Sequence, residues 1–374
     1  MRNRKVVFCG AIAIMFAGCG GGGSSSSSTP TPTPTPPPTP SPTVQQRIDA
    51  ATTTVTHNTA CTSITPFYWE IGDATGALGS GTGGDNSTTA PNSATVMEIA
   101  SASKWIFGAY ALEQNSYANI KSAQHLNGNS DITLLNFTSG YDNMGPASCT
   151  LQNTVGSCFS ALSTAGNGGY NSDYHAADVG KFYYSSGHLQ SFAANVAGLG
   201  SYYKSNVGGS PLLADEIRNK IGQEITLIYS NPALAGGIST DAADYAVFLR
   251  KIMAGGLQMS QHLSADPVCA WTGFSDCNAL YSPINGTGND ISNEKWHYSL
   301  AHWIEDDPTV GDGAFSSPGA FGFYPWIDSS KTYYGILARH DTSTAQSDPK
   351  QAPYATSVNC GRLIRKAWLQ AVAQ

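Results

Sequence analysis

A serine hydroxyl becomes a useful nucleophile when a neighbouring group can take its proton, and a neutral amine three residues along a helix is one such group. Four Ser-x-x-Lys pairs occur, Ser101/Lys104, Ser201/Lys204, Ser292/Lys295 and Ser347/Lys350, where chance composition gives about one. The last three sit in polar segments flanked by glycine or proline, where a lysine is solvated and protonated. Ser101 and Lys104 open the stretch 101–114 (SASKWIFGAYALEQ). It is hydrophobic on almost every face and is predicted to be a buried helix. Residues i and i+3 share a helix face, so Lys104 points back at Ser101. Apolar burial lowers a lysine pKa toward neutrality, which lets the amine serve as base. The positive end of the helix dipole also favours charge developing on Ser101. The competing account of the same pair is a capping serine beside a lysine whose stem lies on apolar surface.

Other chemistries are poorly represented. There is no GxSxG elbow, no Walker loop and no dinucleotide fingerprint. There is no CxxC and no HExxH, and the eight histidines are scattered, so neither a metal nor an organic cofactor is expected. His188 reads as a satisfied helix histidine, His340 follows a strand, and Asp306-Asp307 occupies a polar loop that needs no role. No segment points to a Ser–His–Asp triad.

The elements that must position Ser101 are drawn from both ends of the chain. Pro66–Gly72 (PFYWEIG) is strand-like and closes in the turn Asp73–Gly76. Helix-like stretches fall near 45–60, 187–198, 211–222 and 240–254, separated by long polar loops. Gly319–Trp326 and Thr332–Ala338 read as strands, and 361–373 as a closing amphipathic helix. A sheet assembled from both chain ends, flanked by helices, with an inserted all-helical part follows: an α/β (α+β) fold with an antiparallel sheet. The α/β part covers about 60–115 and 295–374, and the helical part about 116–294.

The N-terminus is an address rather than structure. Met1–Lys5 is basic, and Val6–Gly18 is apolar but too short to span a bilayer. Phe16-Ala17-Gly18-Cys19 resembles a bacterial lipobox, which implies a signal segment 1–19 and lipid on Cys19. Residues 20–44 (GGGGSSSSSTPTPTPTPPPTPSPTV) form a flexible, then extended, tether, and 45–374 is the domain. The expected location is extracytoplasmic, at the outer membrane or cell surface, with membrane contact only through the lipid. Lys and Arg number 19 against 26 Asp and Glu, a net −7, which becomes −10 once Arg2, Arg4 and Lys5 leave with the signal. With no basic stretch, nucleic acid is not a partner. Six cysteines remain in the domain, an even number that in an oxidising compartment suggests three disulfides. Cys149–Cys158 and Cys269–Cys277 each close a short loop, leaving Cys61–Cys360 to join the chain ends.

Six segments, in order, carry a family resemblance. Met97–Lys104 (MEIASASK) resembles the nucleophile segment of the serine β-lactamase and penicillin-binding-protein superfamily, which includes class C β-lactamases, DD-peptidases and related esterases and amidases. Phe67–Gly76 resembles its first strand and hairpin, Ile132–Tyr141 (ITLLNFTSGY) its LLxHTSGL stretch, and Gly180–Gly187 (GKFYYSSG) its Tyr-x-Asn segment. Ala235–Asp244 (AGGISTDAAD) resembles AGGLxSTxxDL, and Ser317–Gly322 (SPGAFG) followed by Trp326-Ile327-Asp328 resembles the HTGxxG strand. The resemblance implies Ser101 as the nucleophile of an acyl-enzyme, Lys104 as the lysine that eases proton transfer and Tyr184 as general base, then acid. It implies an oxyanion hole from the backbone N–H groups of Ser101 and Ala320, with Ser186, Ser317 and Gly319 along the substrate. Two departures bear on specificity. Ser186 replaces the family's amide-binding Asn, and Ser317 replaces its Lys or His. Both favour a neutral ester or a linear amide over a β-lactam or DD-peptide. A β-lactamase or DD-peptidase proper, an oligoamide hydrolase and a binding protein that keeps the fold without catalysis are the alternatives. Phe137, in place of the usual His, reads as a packed ring, and Trp105, Tyr183, Trp303, Phe321, Phe323 and Tyr324 read mostly as core. The sequence says nothing of oligomeric state.

Overall fold

The computed structural model describes residues 41–84, 89–145, 147–164, 168–284, 291, 294–342 and 351–374. The signal segment, Cys19, nearly all of the tether, Ser292, and the pair Ser347/Lys350 lie outside the described residues. The chain divides into units Met1–Ser41 and Pro42–Gln374, and the second carries the fold.

Strands are β1 (Phe67–Asp73), β2 (Gly76–Gly83), β3 (Met97–Glu98), β4 (Ile228–Tyr229), β5 (Ile238–Thr240), β6 (Val268–Cys269), β7 (His297–Ser299), β8 (His302–Glu305), β9 (Ala314–Ser316), β10 (Tyr324–Ile327) and β11 (Tyr334–Ala338). Eight form one antiparallel sheet in the order β2-β1-β11-β10-β9-β8-β7-β6. The N-terminal β1 pairs directly with the last strand, Tyr68 opposite Ala338 and Glu70 opposite Ile336. The sheet is therefore closed by both chain ends, as the order of elements predicts. Neighbouring residues of β11 face opposite layers. Tyr334 reaches Arg250 of the helix Ala242–Met253, while Gly335 lies under Trp326, whose ring carries the Arg365 guanidinium of the helix Pro353–Gln370. The helix Val44–His57 joins that second layer, and Cys61–Cys360 ties the following turn to the closing helix. Cys149–Cys158 and Cys269–Cys277 are also formed, so all three expected pairings are present.

The insert is not purely helical. β3, β5 and β4 make a second, three-stranded sheet, and β6 extends the main one. These pieces are two or three residues long, too short to show alternation in sequence. The predicted strand 319–326 begins only at Tyr324. Residues 319–323 form a turn in which the Gly319 N–H donates to the Phe323 carbonyl (2.8 Å). The closing helix starts at Pro353, whose ring pre-sets the helical φ in the first turn, and ends at Gln370. Among the described residues, no helix is long and apolar enough to cross a membrane.

Candidate active site

Ser101 stands in a single 3₁₀ turn, Ala100–Ala102, which leads into the buried helix Ser103–Asn115. The turn is entered through Ala100 at φ 45°, a left-handed conformation that non-glycine residues rarely adopt and that clusters at functional sites. Neighbours hold it from several sides. The Ile99 N–H donates to the Ile238 carbonyl (3.1 Å), and the Ser103 hydroxyl accepts from the Ile238 N–H (3.2 Å). The Tyr245 hydroxyl donates to the Ala102 carbonyl (2.9 Å). Gly319 passes so close that a Cβ there would lie 2.1 Å from the Ile99 carbonyl oxygen. Gly108, one turn further along, crosses the β7–β8 connection equally tightly, with a Cβ 2.5 Å from the Leu300 carbonyl oxygen.

Lys104 is 3% exposed. Its Nζ donates to Ser101 Oγ (2.9 Å) and to the Ala235 carbonyl (2.8 Å). Burial lowers its pKa to about 7, so a large neutral fraction exists near neutral pH. The sequence anticipated the i, i+3 pairing. The Ala235 acceptor comes from a segment 131 residues away, and only tertiary structure reveals it.

Tyr184 completes the constellation. Lys104 Nζ lies 4.8 Å from the centroid of its ring. The ring stacks on Trp303 (5.2 Å between centroids, 26° between planes) and is flanked by Phe137 and Tyr298. Burial pushes the phenol up to about 12, although the Ser101 hydroxyl and the Trp303 indole pull it in the opposite direction. Burial thus favours the neutral form of both groups, the amine of Lys104 and the phenol of Tyr184.

Ser317 is buried, and its hydroxyl donates to the Ser101 carbonyl (3.0 Å). It grips the Ser101 turn, where the sequence resemblance implies a place along the substrate. Gly319 likewise packs against the turn rather than standing open. Ala320 is exposed beside it. No hydrogen bond to a described residue occupies the Ser101 or the Ala320 N–H. Ser186 is half-buried at the start of the helix Gly187–Ser191. His188 is fully buried and satisfied, as expected: its ring nitrogens meet the Ser139 hydroxyl (2.7 Å) and the Tyr183 carbonyl (3.0 Å), and burial lowers its pKa to about 3. Trp105, Trp303, Phe323 and Tyr324 are core, while Tyr183 and Phe321 are part-exposed. Trp303 is both core and a neighbour of Tyr184, a contact decided by β8 lying beside the Phe182–Tyr184 segment.

Solved structures share this architecture. A β-lactamase candidate from Bacteroides dorei superposes with a TM-score of 0.56 at 19% identity, over 81% of this chain and 93% of the other. The D-amino acid amidase of Ochrobactrum anthropi SV3 gives 0.53 at 11% identity, over 87% of this chain and all of the other. FmtA of Staphylococcus aureus gives 0.50 at 13%, over 83% and 86%. The chain has the β-lactamase-like fold. No protein-family model matches the sequence, and no curated protein matches it either. The β-lactamase-like fold was thus legible in six short segments, although overall identity to these neighbours stays at or below 19%.

Proposed function

We propose that this protein is a serine hydrolase that cleaves a neutral ester or linear amide through an acyl-enzyme on Ser101. The observation that carries this reading is the 2.9 Å contact between Ser101 Oγ and the amine of a buried lysine. Neutral Lys104 takes the hydroxyl proton as Oγ attacks the substrate carbonyl. The N–H groups of Ser101 and Ala320 donate to the developing oxyanion, where each donor typically contributes about 3 kcal/mol. Protonated Lys104, with the Tyr184 hydroxyl beside it, returns the proton to the leaving group. Water then repeats the sequence on the acyl-enzyme.

The substrate class rests on Ser317. A lysine or histidine at this position would offer a cation to a carboxylate, whereas the serine hydroxyl is already engaged by Ser101. That disfavours β-lactams and peptide C-termini. As part of the same reading, the domain works outside the cytoplasm, carried on its tether by a lipid at Cys19.

Intact mass after incubation with a fluorophosphonate, and separately with a penicillin, tests the proposal, with Ser101→Ala as control. The expected result is a phosphonate adduct that the variant loses, and no stable penicillin adduct. A penicillin adduct on Ser101 would move the function to cell-wall or antibiotic chemistry. No adduct of either kind would leave a non-catalytic protein on the same fold.

A further inference from the structure

We propose that Phe137 is a positioning residue for Tyr184, its carbonyl and its ring together fixing the phenol beside Lys104. This rests on the hydrolase reading above.

Phe137 is fully buried and holds φ 58°, the left-handed position just past the helix Ile132–Leu135, in a turn closed by the Thr138 N–H donating to the Thr133 carbonyl (2.9 Å). In that conformation its carbonyl accepts from the Tyr183 N–H (3.0 Å). Its ring lies against Tyr184 (5.6 Å), Tyr298 (4.7 Å) and, nearly parallel, His188 (5.0 Å, 16°). His188 continues the grip. A carbonyl only accepts, so the ring nitrogen facing the Tyr183 carbonyl carries the hydrogen, and the other nitrogen accepts from the Ser139 hydroxyl. Both peptide groups of Tyr183 are therefore held by the 137–139 segment, one directly and one through His188. The Tyr184 N–H is taken by the Tyr281 carbonyl (3.1 Å). The two peptide groups that lead into Tyr184 are thereby held, and the Phe137 ring wedges the phenol from one side while Trp303 stacks on it. An extended Phe137 would lose the Tyr183 bond and withdraw the ring at once.

The variants Phe137→Leu and Phe137→His separate a flat ring from apolar volume. Leucine keeps bulk without a planar face, and histidine keeps the face with less apolar volume. kcat and KM for p-nitrophenyl acetate, the rate of fluorophosphonate labelling and the thermal midpoint would be measured for each. F137L is expected to lower kcat and the labelling rate about tenfold or more, with KM unchanged within about twofold. F137H is expected to recover most of that loss at whatever thermal midpoint it shows. Unchanged kcat in F137L, or a loss that F137H does not repair, would overturn the proposal. If F137L does not fold, Ser139→Ala, which frees one His188 nitrogen and the long Tyr141 N–H contact (3.4 Å), should lower kcat without raising KM; an unchanged kcat there overturns it equally. Wild-type protein that never labels would instead remove the hydrolase reading itself.

Discussion

The amine of Lys104, in a helix whose first ten residues are all buried, sits 2.9 Å from the hydroxyl of Ser101, in the 3₁₀ turn that leads into it. Neither needs to move for the proton to pass. In the proposed mechanism the amine must be neutral to take that proton, and burial favours the neutral form by bringing its pKa to about 7.

The pH dependence of acylation follows from that value. The rate of fluorophosphonate labelling should rise with pH through about 7 and level off above it, as Lys104 loses its proton. Lys104→Arg, which stays protonated, should abolish the rise and lower the rate at least a hundredfold. A profile flat from pH 5 to 9 in the wild type would contradict the assignment of Lys104 as base.

The same burial has a cost in stability. In the unfolded chain the amine titrates at its ordinary value of 10.5 and in the folded chain at about 7, so between these pH values the unfolded state binds more protons and stability rises with pH. Below 7 the full penalty is present. Lys104→Met should therefore raise the unfolding free energy at pH 6 by up to about 5 kcal/mol, with the difference shrinking toward pH 10. Urea melts of the two proteins across this range measure it, and a variant less stable at pH 6 would show that the hydrogen bonds to Ser101 and Ala235 outweigh the desolvation.

Gly319 has no room for a side chain against the Ile99 carbonyl. Gly319→Ala should push the nucleophile's turn away from the 317–320 segment and break the Ser317 bond to the Ser101 carbonyl. The expected loss is about a hundredfold in kcat/KM, with a fall in stability of about 1–3 kcal/mol. Wild-type kinetics in this variant would mean that the two segments need not stay in register for turnover.

A buried charge network fixes the closing helix to the sheet. The fully buried Arg365 donates to Glu305 Oε2 (2.7 Å), Asp312 Oδ2 (2.7 Å) and the Tyr324 hydroxyl (2.8 Å). Burial alone would raise the Glu305 carboxyl, but Arg365 and Arg362 hold it below its ordinary value. Its contribution is thus present above the unfolded carboxylate pKa and is lost as pH falls through the folded one. Arg365→Met should cost about 3–5 kcal/mol at pH 7 by leaving Glu305 under-compensated. The gap from wild type should narrow in acid, where the carboxyl takes up a proton. Chemical denaturation at pH 7 and pH 4 checks both statements.

Cys61–Cys360 closes a loop of 299 residues. Replacing both cysteines by alanine should lower stability by about 2–5 kcal/mol. The labelling rate of folded protein should stay unchanged, because the bridge ties the outer helices and does not touch Ser101. A differential scan with and without the substitutions, beside a labelling assay, separates the two effects.

The sequence by itself determined the elements whose signals are local. The apolar run 101–114, the aromatic strand read at 66–72 and found at Phe67–Asp73, and the short Cys–Cys spacings depend only on neighbours in the chain, and each was readable. The Ser101/Lys104 pairing was readable for the same reason, since helical period alone brings i and i+3 together. Tertiary structure decided what depends on two distant segments meeting. That includes the Ala235 carbonyl on Lys104, the turn at 319–323 in place of a longer strand, and the small sheet of β3, β5 and β4. It also decided Ser317, whose hydroxyl could have faced substrate but is claimed by the Ser101 carbonyl. Phe137 was readable only as a packed ring. Its positive φ belongs to the local turn that ends the helix Ile132–Leu135, where the Thr138 N–H donates to the Thr133 carbonyl (2.9 Å), but its bond to the Tyr183 N–H, 46 residues further on, is decided only by the tertiary structure.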